Sequence, residues 1–430
     1  MNERLNAILL NIGLVLTMVV AGNINSWGTL SPYIASYFHN MDNSLTIADF
    51  VIVNSISCVF ESTLGILVAY LIRFWHPFNV SCLGVSISIA ILFISSYIKN
   101  PYLFCWIFGL GIGSCSATIF LPCIWIVWNQ IPNNKARTGG IGLVGYNLGP
   151  MIFGLIFTMI VNPYDYQAKD IESDKDENQK IFGPEVANKV PMAIRWLAFC
   201  LLISYTIGII LLKRKWKTDE GQKQAGNSTM TFCEMLKSIR AWNLFFFTFF
   251  SVACLTYITN TYKIIGMLYI NNDHYAAFIG SAGSCAGCIG CILLGFLFDK
   301  YSWKKVVTCD CLLLIIFYIT FQVSLDSKYL YGFYIISIYF LSFGGYIGTM
   351  VQTEIDFPED KWILAYVGLG LIPAYTTPYI LEKFITPEVG YFFTFIIIAG
   401  FTAIAMFQSI FHPTQYKVEE NASSNLITTT

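Results

Sequence analysis

Twelve stretches of this 430-residue chain are each long enough and apolar enough to cross a lipid bilayer as a helix. A hydrocarbon core about 30 Å thick takes about 20 residues at a rise of about 1.5 Å each. The stretches run over 7–34, 48–72, 78–97, 102–128, 138–161, 193–212, 242–265, 275–298, 305–324, 330–351, 362–381 and 390–411. Hydrocarbon offers no partner to a backbone N–H or C=O, so an isolated segment inside it has to be helical. The expected fold class is an all-α membrane protein. Residues 1–212 form a first bundle of six helices, 213–241 a linker, 242–411 a second bundle, and 412–430 a polar, disordered tail.

Composition agrees with this reading. The chain is 56% hydrophobic and 12% charged, against about 45–50% and about 25% in soluble domains. A net charge of −1 gives no reason to expect a nucleic-acid partner. The opening MNERLNAILLNIGLVLTMVVAG runs on past Trp27 without a small-residue cleavage site, so it reads as the first membrane helix, not as a signal peptide. Sixteen of the 25 Lys and Arg residues fall on the side of the N-terminus when the segments alternate, seven of them between segments 6 and 7. That bias places both termini in the cytosol. The run KRKWK, from Lys213, sits where it can meet anionic lipid headgroups, or it serves only as a topology signal.

The two halves of the chain repeat. FGLGIGS at 108–114 matches FGGYIGT at 343–349, and GILVAY from Gly65 matches GFLFDK from Gly295. A duplicated six-helix unit around a cytosolic linker is the layout of a rocker-type transporter, in which one bundle tilts against the other about a central site. The expected partners are a small-molecule substrate, membrane lipid and a coupling proton, and the chain is expected to act as a monomer.

GFLFDKYSWKK, residues 295–305, resembles the inner-loop motif of the major facilitator superfamily, roughly G-x-L-x-D-[RK]-x-x-x-[RK]-[RK]. The resemblance implies that fold, with Gly295 allowing close helix contact and Asp299 joining Lys300, Lys304 and Lys305 in a gating latch. The first-half copy keeps Gly65, Leu67 and Arg73 but has Ala69 in place of the acid. NINSWGTLSPYIASYF (23–38), WNQIPNNKARTGGIGLVGYNLGP (128–150), NPYDY (162–166) and NTYKIIG (260–266) are similar to the oxalate–formate antiporter and monocarboxylate porter branch. That likeness implies a small monocarboxylate or related organic anion as substrate. Segments 8 and 11 lack the basic residues with which that branch holds its anion, which leaves a neutral metabolite such as a sugar or amino acid as the alternative. A membrane sensor or subunit that carries nothing is a third reading.

The same resemblance implies that helices 1, 4, 7 and 10 line the cavity. Their polar residues are Asn23, Ser26, Trp27 and Ser31; Ser114 and Thr118; Thr256, Asn260 and Lys263; and Tyr346 and Thr349. Residues three or four apart share a helical face, which groups Asn23 with Trp27, Ser114 with Thr118, and Thr256 with Asn260 and Lys263. For each hydroxyl or amide the plain alternative is an interhelical hydrogen bond, of about 0.6 kcal/mol on average. Lys263 either snorkels to the interface or attracts a carboxylate, and Arg195 has the same two readings.

Glu61 is the sharpest residue, because it falls near the middle of segment 2. An ionised acid at that depth costs roughly 2.5–3.5 kcal/mol on insertion scales. It reads either as a carrier of the coupling proton or as a structural acid. Asp310 is expected to pair with basic residues near the end of segment 9. Cys285, Cys288 and Cys291 have a metal-like spacing, but three small residues on one stripe suit close helix packing better. There is no phosphate-binding loop and no hydrolase constellation, so neither an enzyme nor a cofactor is expected.

Overall fold

The computed structural model of the chain describes residues 3–72, 74–131, 135–170, 180–213, 230–270, 272–357 and 362–413. Among the described residues, ten helices are long and apolar enough to cross a membrane. Eight of them are α1 (Leu5–His39), α2 (Ile47–Leu71), α3 (Pro77–Ser95), α4 (Pro101–Gln130), α5 (Thr138–Val161), α6 (Pro184–Leu212), α7 (Ile239–Tyr269) and α8 (Asp273–Phe298). The next helix, α9 (Trp303–Ile319), has 17 residues, and α10 spans Lys328–Asp356. The tenth apolar stretch, Ile363–Ile410, has 48 residues. Within it α11 runs over Ile363–Val367, a 3-10 turn at Gly368–Gly370, and Leu371–Ile380. A π-helical turn at Leu381–Ile385 leads into α12, Thr386–Ile410, which is interrupted at Gly390 (φ 76°, ψ 166°).

The helix starts explain where hydropathy alone misses the boundaries. Proline opens α3, α4 and α6, where its missing N–H would have been unsatisfied anyway. Asn100 caps α4 by accepting from the Leu103 N–H at 3.0 Å. In α6 the apolar reading begins at 193, whereas the helix already begins at Pro184. Two residues of the loop before it, Lys169–Asp170 (β1), pair antiparallel with Lys180–Ile181 (β2). Most of the linker, 214–229, and most of the tail, 414–430, lie outside the described residues, as does the expectation of disorder there.

Each half has its own apolar core. One cluster is built almost wholly from residues of α1 to α6, including Leu14, Tyr33, Phe104, Phe157 and Leu197. A second is built almost wholly from α7 to α12, including Tyr257, Tyr318, Phe321, Ile335 and Phe395, with Leu143 of α5 joining it. The halves meet along three helix pairs: α5 with α8, α2 with α11, and the second part of α1 with α7. At the last of these Gly28 lies against the Thr259 backbone, and a Cβ there would overlap the Thr259 carbonyl oxygen. Gly295 is different. A Cβ at that position meets nothing within 4 Å, so the close helix contact expected of it is absent.

Overpacking a tight contact costs about 1–3 kcal/mol. Gly28→Ala is therefore expected to lower the thermal midpoint of the detergent-solubilised protein by several degrees, whereas Gly65→Ala and Gly295→Ala, with open space around them, leave it unchanged. Equal midpoints for all three would refute the close approach of α1 and α7.

Candidate functional site

The site is set by a break in α1. Residues Gly22–Ser26 wind as a 3-10 turn, in which side chains three apart line up. Ser26 Oγ accordingly donates to Asn23 Oδ1 at 3.0 Å. The change of pitch brings Asn25 to a central cavity between the halves, while Asn23 and Trp27 turn into the first half. The Trp27 ring lies 5.6 Å from that of Phe108 on α4. Asn23 Nδ2 and Trp27 Nε1 are buried without a partner, and neither residue lines the cavity.

Asn25, Tyr146, Asn147, Phe343, Tyr346 and Tyr375 line that cavity, together with aliphatic side chains and Cys291. The space open to the centre of a water molecule is about 10 Å³, room for about one water. The Tyr375 hydroxyl donates to Asn25 Oδ1 at 2.8 Å, and its backbone carbonyl accepts from Ser55 Oγ at 2.8 Å. Asn147 Nδ2 donates to Cys291 Sγ at 3.0 Å, which leaves Asn147 Oδ1 buried and without a partner. Cys288 donates to the Val144 carbonyl at 3.5 Å, so this part of the cysteine stripe packs α8 on α5.

Glu61 stands behind the tyrosines. Its Oε1 accepts from Ser116 Oγ at 2.5 Å and from the Tyr146 hydroxyl at 3.4 Å. Its Oε2 is buried with no partner. Tyr346, Tyr375 and Cys58 are close enough to feel its charge. Among the described residues, no Lys, Arg or His side chain forms an ion pair with Glu61.

Lys263 neither snorkels nor faces the cavity. It is 0% exposed, and its Nζ lies 2.8 Å from Asp273 Oδ1 on α8. Around the pair stand two groups of the first half. The Tyr33 hydroxyl donates to Asp273 Oδ2 at 2.6 Å and accepts from Lys263 at 3.0 Å. Asn162 Nδ2 donates to Asp273 Oδ2 at 2.8 Å. The ammonium also sits 4.1 Å from the centre of the Tyr33 ring. Next to this cluster Thr29 and Tyr262 share a hydrogen bond of 2.8 Å. At the same end of the molecule Lys383, in the π-helical turn, reaches Asp49 on α2 at 2.7 Å. Asp165, Asp273 and His274 are near enough together to suggest a metal. However, Asp273 is engaged as above, and His274 Nε2 lies 2.9 Å from the Asn162 carbonyl.

Of the other expected site residues, Tyr346 lines the cavity and the rest are committed elsewhere. Ser114 shares a hydrogen bond of 2.8 Å with Ser88 on α3, and Thr118 packs on Gly84 of the same helix. Thr256 donates to the Ala374 carbonyl of α11 at 2.9 Å, Asn260 to the Thr256 carbonyl at 2.6 Å, and Thr349 meets Thr248 at 3.1 Å. In the inner-loop motif Lys304 donates to the Ile410 carbonyl at 3.1 Å, Lys300 lies over the Tyr301 ring, and Lys305 is exposed. The Asp299 side chain lies outside the described residues. Asp310 has no basic partner among the described residues. It is 6% exposed, its Oδ1 is unpartnered, and it packs against Gly344 of α10. Asn25, Tyr146 and Tyr375 were missed because two of them lie outside helices 1, 4, 7 and 10, and the third is exposed to the cavity only by the 3-10 turn.

No protein-family model matches this sequence, and no curated protein matches it. The structure does match a solved one, the nucleoside transporter NupG in a mutant form. The TM-score is 0.63 at 14% identity, over 93% of this chain and 99% of that one. The chain thus has the fold of a multi-pass membrane transporter. The likeness lends no support to the oxalate–formate or monocarboxylate branch.

Removing one member of a sealed ion pair costs about 3–5 kcal/mol, because the other is left buried and charged. Lys263→Met or Asp273→Asn alone is expected to lower the denaturation midpoint sharply, and the double variant to recover most of the loss. Additive losses would refute the pairing.

Proposed function

We propose that the chain is a secondary transporter of the major facilitator superfamily that moves a small solute by alternating access. The 17 residues of α9 reach about 25 Å, and the 48 residues from Ile363 reach about 72 Å, more than twice the hydrocarbon thickness. Counting α9 once and the broken Ile363–Ile410 stretch twice makes twelve crossings in two six-helix bundles. Both termini then share a face, and the excess of Lys and Arg there makes it the cytosolic one. The inner-loop residues Gly295, Asp299, Lys300, Lys304 and Lys305 act at that face.

The solute binds between the halves at Asn25, Tyr146, Asn147, Tyr346 and Tyr375, where the cavity that now has room for about one water widens as the halves part, with Glu61 behind it as the group that carries a coupling proton. One observation bears most on the solute: the buried acid behind this cavity has no cationic partner among the described residues, while the cation nearest by expectation, Lys263, is bound to Asp273. An anion would meet a carboxyl group and no opposing charge. The site therefore favours an uncharged or positively charged solute over a monocarboxylate.

Uptake into proteoliposomes, screened with lactate, glucose, uridine and simple amines across an imposed pH gradient, tests the proposal. Accumulation of at least one non-anionic solute is expected, with its proton-driven part lost in Glu61→Gln. No flux of any solute would favour a sensor or subunit. Saturable uptake of lactate in place of any non-anionic solute would restore the anion reading.

A further inference from the structure

Two buried oxygen acceptors beside the cavity lack a donor: Glu61 Oε2 and Asn147 Oδ1. The cavity wall adds four aromatic rings, Tyr146, Phe343, Tyr346 and Tyr375. Each ring presents an electron-rich face, which attracts a cation within about 6 Å of its centre. The titratable groups gathered about Glu61 are Cys58 on its own helix, Tyr146 on α5, Tyr346 on α10 and Tyr375 on α11, with the Ser116 hydroxyl on α4. None of them carries a positive charge. The site thus offers acceptors, π faces and one acid, but no opposing cation among the described residues.

We infer that the cavity binds a small organic ammonium ion, and that this ion and a proton replace one another at Glu61. The inference rests on the proposal that this cavity is the solute site, and it specifies the solute. When the carboxyl is protonated, the site is neutral and holds an ammonium weakly. When the ammonium enters, the carboxyl gives up its proton to water and the carboxylate answers the new charge. One positive charge arrives and one leaves, so the buried site keeps its net charge throughout the exchange. A neutral solute would supply donors to the two oxygens but would leave Glu61 protonated and displace no proton. A carboxylate would add a second negative group.

The test is binding of methylammonium, whose N–H groups can donate to both oxygens, to the full chain in detergent, followed by thermal shift, with proton release read by a pH dye in weak buffer. The wild-type protein is expected to be stabilised, to release one proton per cation bound, and to bind more weakly as the pH falls, by up to about tenfold per unit once the carboxyl is protonated. Glu61→Gln should lose both the stabilisation and the proton release. Tyr346→Leu should weaken binding by about tenfold, whereas Tyr346→Phe, which keeps the ring, should bind as the wild type does. If Glu61→Gln does not fold, the Tyr346 pair and the proton count decide the matter. Binding without proton release, equal effects of the two Tyr346 variants, or stabilisation by uridine, glucose or lactate but not by methylammonium would overturn the inference. Binding with proton release but without flux in proteoliposomes would sink transport and leave the ammonium site standing.

Discussion

The Lys263–Asp273 pair governs how the two halves fit together. A lysine and an aspartate sealed from water are tolerable only if each charge is answered and the remaining hydrogen-bonding capacity is filled. The pair itself lies within the second half, on α7 and α8. The groups that complete its shell, the Tyr33 hydroxyl and the Asn162 amide, come from the first half. The association of the halves at this end therefore carries an electrostatic term as well as an apolar one. Separating them would leave the ion pair intact and would put water where Tyr33 and Asn162 had been. Under the alternating access proposed above, that replacement lets the interface open and close, because the charged pair needs no rearrangement, only a change of its neighbours.

Glu61 is treated in the opposite way. The protein gives Asp273 a lysine, a phenol and an amide, but it gives Glu61 two hydroxyls on one oxygen and nothing on the other. Both acids lie in apolar surroundings, so the difference comes from what the neighbouring helices supply. A buried acid left incomplete is costly unless something else neutralises it. In the reading proposed above, that is why Glu61 and its tyrosines are assigned the exchange of charge, whereas Lys263 and Asp273 are assigned to the scaffold.

The fold was largely legible from the sequence because it is set by local quantities. The length and hydropathy of each stretch are enough to find most of the membrane helices, and the repeats at 108–114 and 343–349 point to two similar halves. The site was less legible because its geometry is not local. A count of four residues placed Asn23 beside Trp27, but the 3-10 turn changes the pitch, and Asn25 reaches the cavity instead. Ser114 and Thr118 do share a face, but nothing in the sequence says that α3 covers it. The partner of Lys263 lies only ten residues on, past the turn into α8, where neither the interface nor a substrate carboxylate had placed it. Asp310 was assigned to basic neighbours by proximity in sequence, whereas the helix turns it inward against Gly344.

The same two helices carry both the site and one of its closing contacts. On α2, Asp49 lies at the end near His39 and Glu61 lies twelve residues on, about 18 Å along the axis. On α11, Tyr375 binds Asn25 in the cavity, and Lys383 follows in the π-helical turn to reach Asp49. Ser55 ties the two helices midway, through the Tyr375 carbonyl. Within that turn Glu382 points into the second half, where Tyr257 donates to it at 2.8 Å, while Lys383 points across to the first half. A π-helical turn adds a residue to the helical cycle and so can aim two successive charged side chains at different partners. A shift of α11 against α2 must accordingly alter the Lys383–Asp49 contact and the tyrosine cluster together. This gives a mechanical reason for a change at the cavity to be felt at the Lys383–Asp49 end of the molecule.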